Sequence, residues 1–100
     1  MINKTAKGTR VEKICADELK AKKYLTWKTI RVRYQNIDLF GLFDVAALHP
    51  DGDELLLIQC KSTRCNDETR RRIAKLKVPL GVKKAIWIRK HGYWVKENFD

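Results

Sequence analysis

Two apolar runs joined by Asp51-Gly52 constrain this chain more than any other stretch. Phe43 to Ser62 reads F-D-V-A-A-L-H-P-D-G-D-E-L-L-L-I-Q-C-K-S. Asp-Gly is a favoured two-residue hairpin loop, because both central positions then need positive φ. If Asp51 and Gly52 form the loop, Pro50 pairs with Asp53. Counting back along both strands, Asp44 then pairs with Gln59 on one face of the sheet. Lys61 is two residues further on and shares that face. A slip of one residue would part them. Three polar groups thus converge from two otherwise apolar strands, either as a site or as an exposed polar edge.

The strands are expected over Leu42–Leu48 and Glu54–Lys61. Leu55 and Leu57 share the face of Gln59 and Lys61, and Leu56, Ile58 and Cys60 take the other. A strand apolar on both faces is a central one, covered on both sides. The switch to Gln-Cys-Lys-Ser at its end puts polar chemistry at the rim of a buried sheet.

Upstream, residues 1–8 read as polar and loose. Val11, Ile14, Cys15 and Leu19 then form an amphipathic stripe, which predicts a helix over Thr9–Lys23. Thr9 and Glu12 have the capping-box spacing. Glu12 is either that cap partner or an acid at the border of the stripe, pointing along the edge of what the helix covers. Thr26–Tyr34 alternates as a half-exposed strand with Thr29, Arg31 and Arg33 on its basic face. Gln35–Gly41 reads as a loop, in which Asp38 is a turn residue or an auxiliary acid.

Downstream, Ser62–Asp67 is a loop. Asn66 or Asp67 caps a helix over Asp67–Lys77 that Val78-Pro79 ends, with Ile73, Leu76 and Ala74 as its thin inner face. A strand follows over Lys84–Lys90, then a His91-Gly92 turn and a last strand over Tyr93–Phe99. Trp87, Tyr93 and Trp94 complete the core or an edge rather than stack on bases. The order is α-β-β-β-α-β-β, an α/β (α+β) chain with a mixed central sheet flanked by helices. One hundred residues make a single domain, 1–100.

Charge narrows the partner. Lys and Arg number 22 against 12 Asp and Glu, a net +10. Such a bias favours a polyanion. No helix shows the aromatic-rich face of a membrane anchor, so nucleic acid is the expected partner. Lys61, Arg64, Arg70, Arg71, Arg72, Lys75 and Lys77 are opposed only by Asp67 and Glu68, a density that suits phosphate contact better than a merely solvated helix. No apolar run is long enough to span a membrane, and the N-terminus lacks a secretory pattern. A cytoplasmic location is expected, in the host if the chain is viral. Cys15, Cys60 and Cys65 are odd in number and not in a zinc pattern, so they read as reduced, partly buried thiols; a Cys60/Cys65 metal site is the weaker option.

An acid on the second strand and Gln-x-Lys on the third, in this element order, resemble the PD-(D/E)XK nuclease superfamily and its restriction-endonuclease-like core. The match covers most of the chain. Asp44 matches the metal-binding Asp, Gln59 and Lys61 the (D/E)-x-K positions, and Glu12 the acid that many members carry on the first helix. The pattern K-G-T-R-V-E, with Ser62 after the Lys, is similar to archaeal-type Holliday junction resolvases. Phe43 stands where Pro is usual, and Gln59 where Glu or Asp is usual. The resemblance implies a Mg²⁺- or Mn²⁺-dependent DNA endonuclease acting on branched DNA as a homodimer. It implies metal ligation by Asp44, the Gln59 oxygen and the Cys60 backbone carbonyl, with Glu12 joining through water or at a second ion. Lys61 would orient the attacking water or stabilise developing charge. Ser62 and Arg64 would meet the scissile phosphate, with Arg70, Arg71, Arg72, Lys75, Arg31 and Arg33 on flanking phosphates. Two other readings remain: a nicking or end-processing nuclease of phage or mobile-element type, and a nucleic-acid-binding module with a degenerate site.

Overall fold

The leucine-rich run is the middle of the sheet. In the computed structural model, which describes residues 4–28, 30–31, 36–37, 40, 42–52, 54–62 and 64–99, the elements in chain order are α1 (Lys4–Ala21), β1 (Leu25–Lys28), β2 (Ile30–Arg31), β3 (Asn36–Ile37), β4 (Val45–Leu48), β5 (Leu55–Lys61), α2 (Asp67–Lys75), β6 (Val82–Lys90) and β7 (Tyr93–Phe99). β1, β4, β5, β6 and β7 form one mixed sheet in that spatial order. Counting the elements of this sheet and the two helices, the order is α-β-β-β-α-β-β, as expected. β5 pairs antiparallel with β4 and parallel with β6, across the α2 connection.

Side-chain alternation divides the core in two. Ile58 and Cys60 of β5 join Val45, Ala47, Ala85 and Trp87 beneath Val11, Cys15 and Leu19 of α1. Leu57 joins Phe43, Ile86, Ile88 and Cys65 on the α2 side, where Ile73 is the fully buried residue of that helix. β5 is therefore covered on both faces, as an apolar run in a parallel pair requires.

The hairpin turn differs in type but not in register. His49 N–H donates to Glu54 O at 3.0 Å and Gly52 N–H to His49 O at 2.8 Å. Pro50 and Asp51 are thus the central residues, and Gly52 follows at φ +76°. Proline presets the φ of the first central position, which outweighs the Asp-Gly preference. The loop is one residue longer on each side than the two-residue Asp51-Gly52 loop, so the count along both strands survives: Leu48 faces Leu55 and Val45 faces Ile58. Asp53 lies outside the described residues.

Other boundaries shift. α1 begins at Lys4 rather than Thr9, so Thr9 is inside the helix and is not its N-cap. Residues 4–8 are helical rather than loose. Ile14 is half-buried, while Glu12 and Ala16 are buried beside Val11, Cys15 and Leu19. The stripe is rotated toward Glu12. The strand expected over Thr26–Tyr34 divides: β1 pairs with β4, and Ile30–Arg31 pairs in a separate ladder with Asn36–Ile37, which falls in the expected loop Gln35–Gly41. Thr29, Arg33, Tyr34 and Asp38 lie outside the described residues. α2 ends two residues early, at Lys75, and Ala74 is exposed rather than inward. Asn66 is its cap, accepting from Thr69 N–H at 2.8 Å. The final hairpin matches: His91 and Gly92 both have positive φ, at 47° and 86°, and Lys90 faces Tyr93. Trp87 is buried in the α1-side core, with Trp94 packed against it.

α1 stops in a Schellman motif. Tyr24 N–H donates to Leu19 O at 3.0 Å and Lys23 N–H to Lys20 O at 2.9 Å. This places Lys23 at φ 73°, where a Cβ is disfavoured. Lys23→Gly is expected to stabilise the fold by about 0.5 kcal/mol, the relief of strain being partly offset by a more flexible unfolded chain. Urea unfolding checks this: a higher midpoint at unchanged slope is the expected result.

Candidate functional site

The site gathers where β5 ends. The β4–β5 ladder stops at Val45/Ile58, and Asp44 precedes β4 rather than lying on it. Asp44 N–H donates to Ile58 O at 2.9 Å, although Ile58 is the ladder partner of Val45. This one-residue irregularity re-aims the side chain, as bulges do. Asp44 Oδ2 accepts from Cys60 N–H at 3.0 Å, a buried contact. Asp44 therefore meets β5 through its carboxylate and the backbone of Cys60, not as a face-to-face partner of Gln59. Strand geometry turns the N–H and C=O of Cys60 to the same edge, so the Cys60 carbonyl is directed to the side on which Asp44 lies.

Glu12 joins from above. It is 2 % exposed, on the α1 face that packs over β4 and β5. The Cys60 thiol is held well above its ordinary range, first by its hydrogen bond with Cys15, then by burial, and further by the negative charges of Asp44 and Glu12. Two carboxyl groups thus act on one sulfur, which places Glu12 and Asp44 around Cys60. Cys60 stays a neutral thiol and is no nucleophile. All three cysteines are free and buried. Cys60 lies in the α1-side core and Cys65 in the α2-side core, so the two do not form a metal pair.

Gln59 and Lys61 continue the face of Leu55 and Leu57, toward α2. Lys61 and Arg70 pull the Cys65 thiol down, against a stronger upward push from burial. Lys61 is thus near Cys65 on the α2 side, whereas Glu12 is on the α1 side. The carboxylate of Asp44 is held against the strand backbone at Cys60, the residue between Gln59 and Lys61.

The donors present suit a hard cation better than a soft one. Carboxylate, amide and backbone carbonyl oxygens are the ligands of Mg²⁺ and Mn²⁺, and the nearby sulfur is protonated. Among the described residues, no three His, Cys, Asp or Glu side chains cluster as a metal site. Any ion here would rely on the neutral oxygens of Gln59 and Cys60 beside Asp44.

The basic tract divides. Arg64, Arg71, Arg72 and Lys75 are exposed. Arg70 is engaged: its Nε and Nη2 donate to Glu97 Oε1 and Oε2 at 2.8 and 2.7 Å, and its Nη1 to Asp67 at 3.2 Å. This two-pronged pair ties α2 to β7 and takes Arg70 out of the expected phosphate surface. Arg33 lies outside the described residues, and Arg31 is placed by its backbone alone, in β2.

The hydrogen bond from Arg70 holds the Glu97 carboxyl below its ordinary range, against a smaller upward push from burial. A depressed carboxylate contributes stability that is present above its unfolded pKa, about 4.3 for Glu, and lost as pH falls through the folded value. Glu97→Gln is therefore expected to lower the unfolding midpoint at pH 7 and to flatten the acid limb below about pH 4.3. Thermal melts between pH 3 and 7 check this; an unchanged acid limb would assign it to other carboxylates.

Sequence reasoning missed Lys84. It is 4 % exposed, and its Nζ donates to Ile73 O, Ala74 O and Leu76 O at 2.9, 3.3 and 2.7 Å. It closes the end of α2. No local pattern singles it out, because Lys83 stands beside it ahead of the apolar run Ala85–Ile88.

Among the described residues, no helix is long and apolar enough to cross a membrane. Comparison with protein-family models, with curated proteins and with solved structures gives no match.

Proposed function

We propose that this chain is a metal-dependent DNA endonuclease of the PD-(D/E)XK type, selective for branched DNA. The observation that carries the reading is the 3.0 Å bond from Cys60 N–H to Asp44 Oδ2, which fixes an acid against the Gln59-Cys60-Lys61 strand end. Asp44, the Gln59 oxygen and the Cys60 carbonyl would hold Mg²⁺ or Mn²⁺, with Glu12 acting from the α1 side. When bound, the cation polarises the phosphate and lowers the pKa of water. The protein's own part is positional. Asp44 is oriented by the β5 backbone. Lys61, on the α2 side, orients water or offsets charge developing on the phosphate. Ser62, Arg64, Arg71, Arg72 and Lys75 supply backbone phosphate contacts that carry no sequence information.

Cuts placed symmetrically on a junction need two sites, which suits a homodimer. β7 is one of the two edges of the five-stranded sheet, and Tyr93 on it is 54 % exposed, which makes it our candidate for that interface.

The neutral Gln59 favours a second reading, a nucleic-acid-binding module with a degenerate site. Labelled four-way junction, flap and linear duplex, each with Mg²⁺ or Mn²⁺, separate the two. Symmetric junction cuts that disappear in Asp44→Asn and Lys61→Ala support the nuclease. Binding without cutting under either metal assigns the module. Preference for linear or single-stranded DNA assigns a nicking or end-processing enzyme instead.

A further inference from the structure

The parallel pairing of β5 with β6 carries chemistry past the candidate centre. Lys61 faces Ile88, so the next residue, Ser62, comes beside Arg89 at the sheet end where Asp44 and Cys60 meet. Ser62, Arg89, Lys90 and His91 line an open cleft of about 450 Å³ there, beside the His91-Gly92 turn. The lining is cationic and hydrogen-bonding. Arg89 lies over the Trp94 ring, with its guanidinium carbon 5.0 Å from the centroid. Stacking fixes the plane of the guanidinium and leaves its N–H edge able to donate. Among the described residues, no carboxylate is within ion-pair distance of Arg89, Lys90 or His91. Glu97, which Lys90 helps keep ionised, is already committed to Arg70. This contrasts with Arg70, whose charge is spent inside the fold.

We infer that Ser62, Arg89, Lys90 and His91 form a second phosphate subsite, which holds a backbone phosphate neighbouring the one at the candidate centre. The ligand is a phosphate mono- or dianion held by a planar guanidinium, an ammonium and hydroxyl or imidazole donors. The inference rests on the nucleic-acid reading for the source of that phosphate. Inorganic phosphate offers the same chemistry without the strand.

The test measures binding without cutting. Anisotropy of labelled junction and duplex is followed in EDTA, from 50 to 200 mM KCl, for the wild type, Arg89→Gln/Lys90→Gln and Lys20→Gln/Lys22→Gln. The last pair removes equal charge from exposed positions at the other end of the sheet, where Tyr24 meets His49 at a centroid distance of 5.3 Å. Arg89→Gln/Lys90→Gln is expected to weaken DNA binding roughly tenfold at 50 mM and to reduce the salt slope by about one to two, with the control near the wild type. Lys90→Gln alone, at an exposed position, shows the smaller change if the double variant unfolds. Equal behaviour of the subsite and control variants overturns the subsite and leaves the nuclease reading standing. Wild type that binds no DNA removes that reading. Titration with inorganic phosphate then decides: amide shifts at Ser62 and Gly92 support a small-phosphate site, and their absence overturns it.

Discussion

Asp44→Asn is expected to leave the fold intact and to lower DNA cleavage roughly a thousandfold. Asp44→Ala is expected to lose cleavage and stability together. The difference follows from the two jobs of one carboxylate. Its Oδ2 accepts from Cys60 N–H at 3.0 Å in a buried setting. An asparagine oxygen accepts the same bond, so the strand end stays paired while the negative charge goes. Alanine leaves a buried N–H without its acceptor, which costs about 1–3 kcal/mol. Cleavage assays in Mn²⁺ and Mg²⁺, with urea unfolding of both variants, check the pair. Asn and Ala variants that keep wild-type cleavage would remove Asp44 from the centre. Equal destabilisation of both would mean that the charge, rather than the acceptor, holds the strand end.

The hairpin was legible because its register has two supports. The alternation of Leu55, Leu57 and Gln59 against Leu56, Ile58 and Cys60 sorts the faces, and a slip of one residue would exchange the two sets between the α1-side and α2-side cores. The Pro50–Gly52 turn fixes the count. It is built differently from a two-residue Asp-Gly loop, yet a loop lengthened equally on both sides returns the same pairing. What the count could not show was the end of the ladder. Asp44 leaves it one residue early, and no pattern in F-D-V-A-A-L marks that departure. The expected facing of Asp44 and Gln59 became a contact between a carboxylate and a backbone N–H.

Glu12 shows a second limit. Its spacing from Thr9 fits a cap, but caps exist only at helix ends, and α1 begins five residues earlier. Once the helix extends back, Glu12 belongs to the buried stripe with Val11 and Cys15. Arg70 shows a third. In sequence it is one of three consecutive arginines, and period alone cannot choose which of them meets Glu97 across the sheet. Long-range ion pairs are set by how α2 lies on β7, which local pattern does not encode.

Lys84 carries the largest expected loss of stability. α2 has nine residues, too few to hold helical structure alone, and only Ile73 of it is fully buried. Beyond its Asn66 cap, two polar anchors tie it to the sheet, the Arg70–Glu97 pair and the Lys84 ammonium. All three ammonium donors reach backbone oxygens at the helix end, at Ile73, Ala74 and Leu76. A cation there also meets the negative end of the helix dipole. Lys84→Met keeps most of the side-chain volume and removes the donors. The carbonyls are left in a site that is 4 % exposed at Lys84, and the loss is expected at about 2–4 kcal/mol. For a domain of this size that lowers the melting point by roughly 10–25 °C. Hydrogen exchange should speed up first at the amides of α2, because the cap fails before the sheet does. A melting point within about 2 °C of the wild type would mean that water replaces the ammonium and that α2 is held by Ile73 and Arg70 alone. The loss also tests function separately from chemistry, since α2 carries Arg71, Arg72 and Lys75. If those residues bind phosphate, Lys84→Met should weaken DNA binding at temperatures where the sheet is still folded.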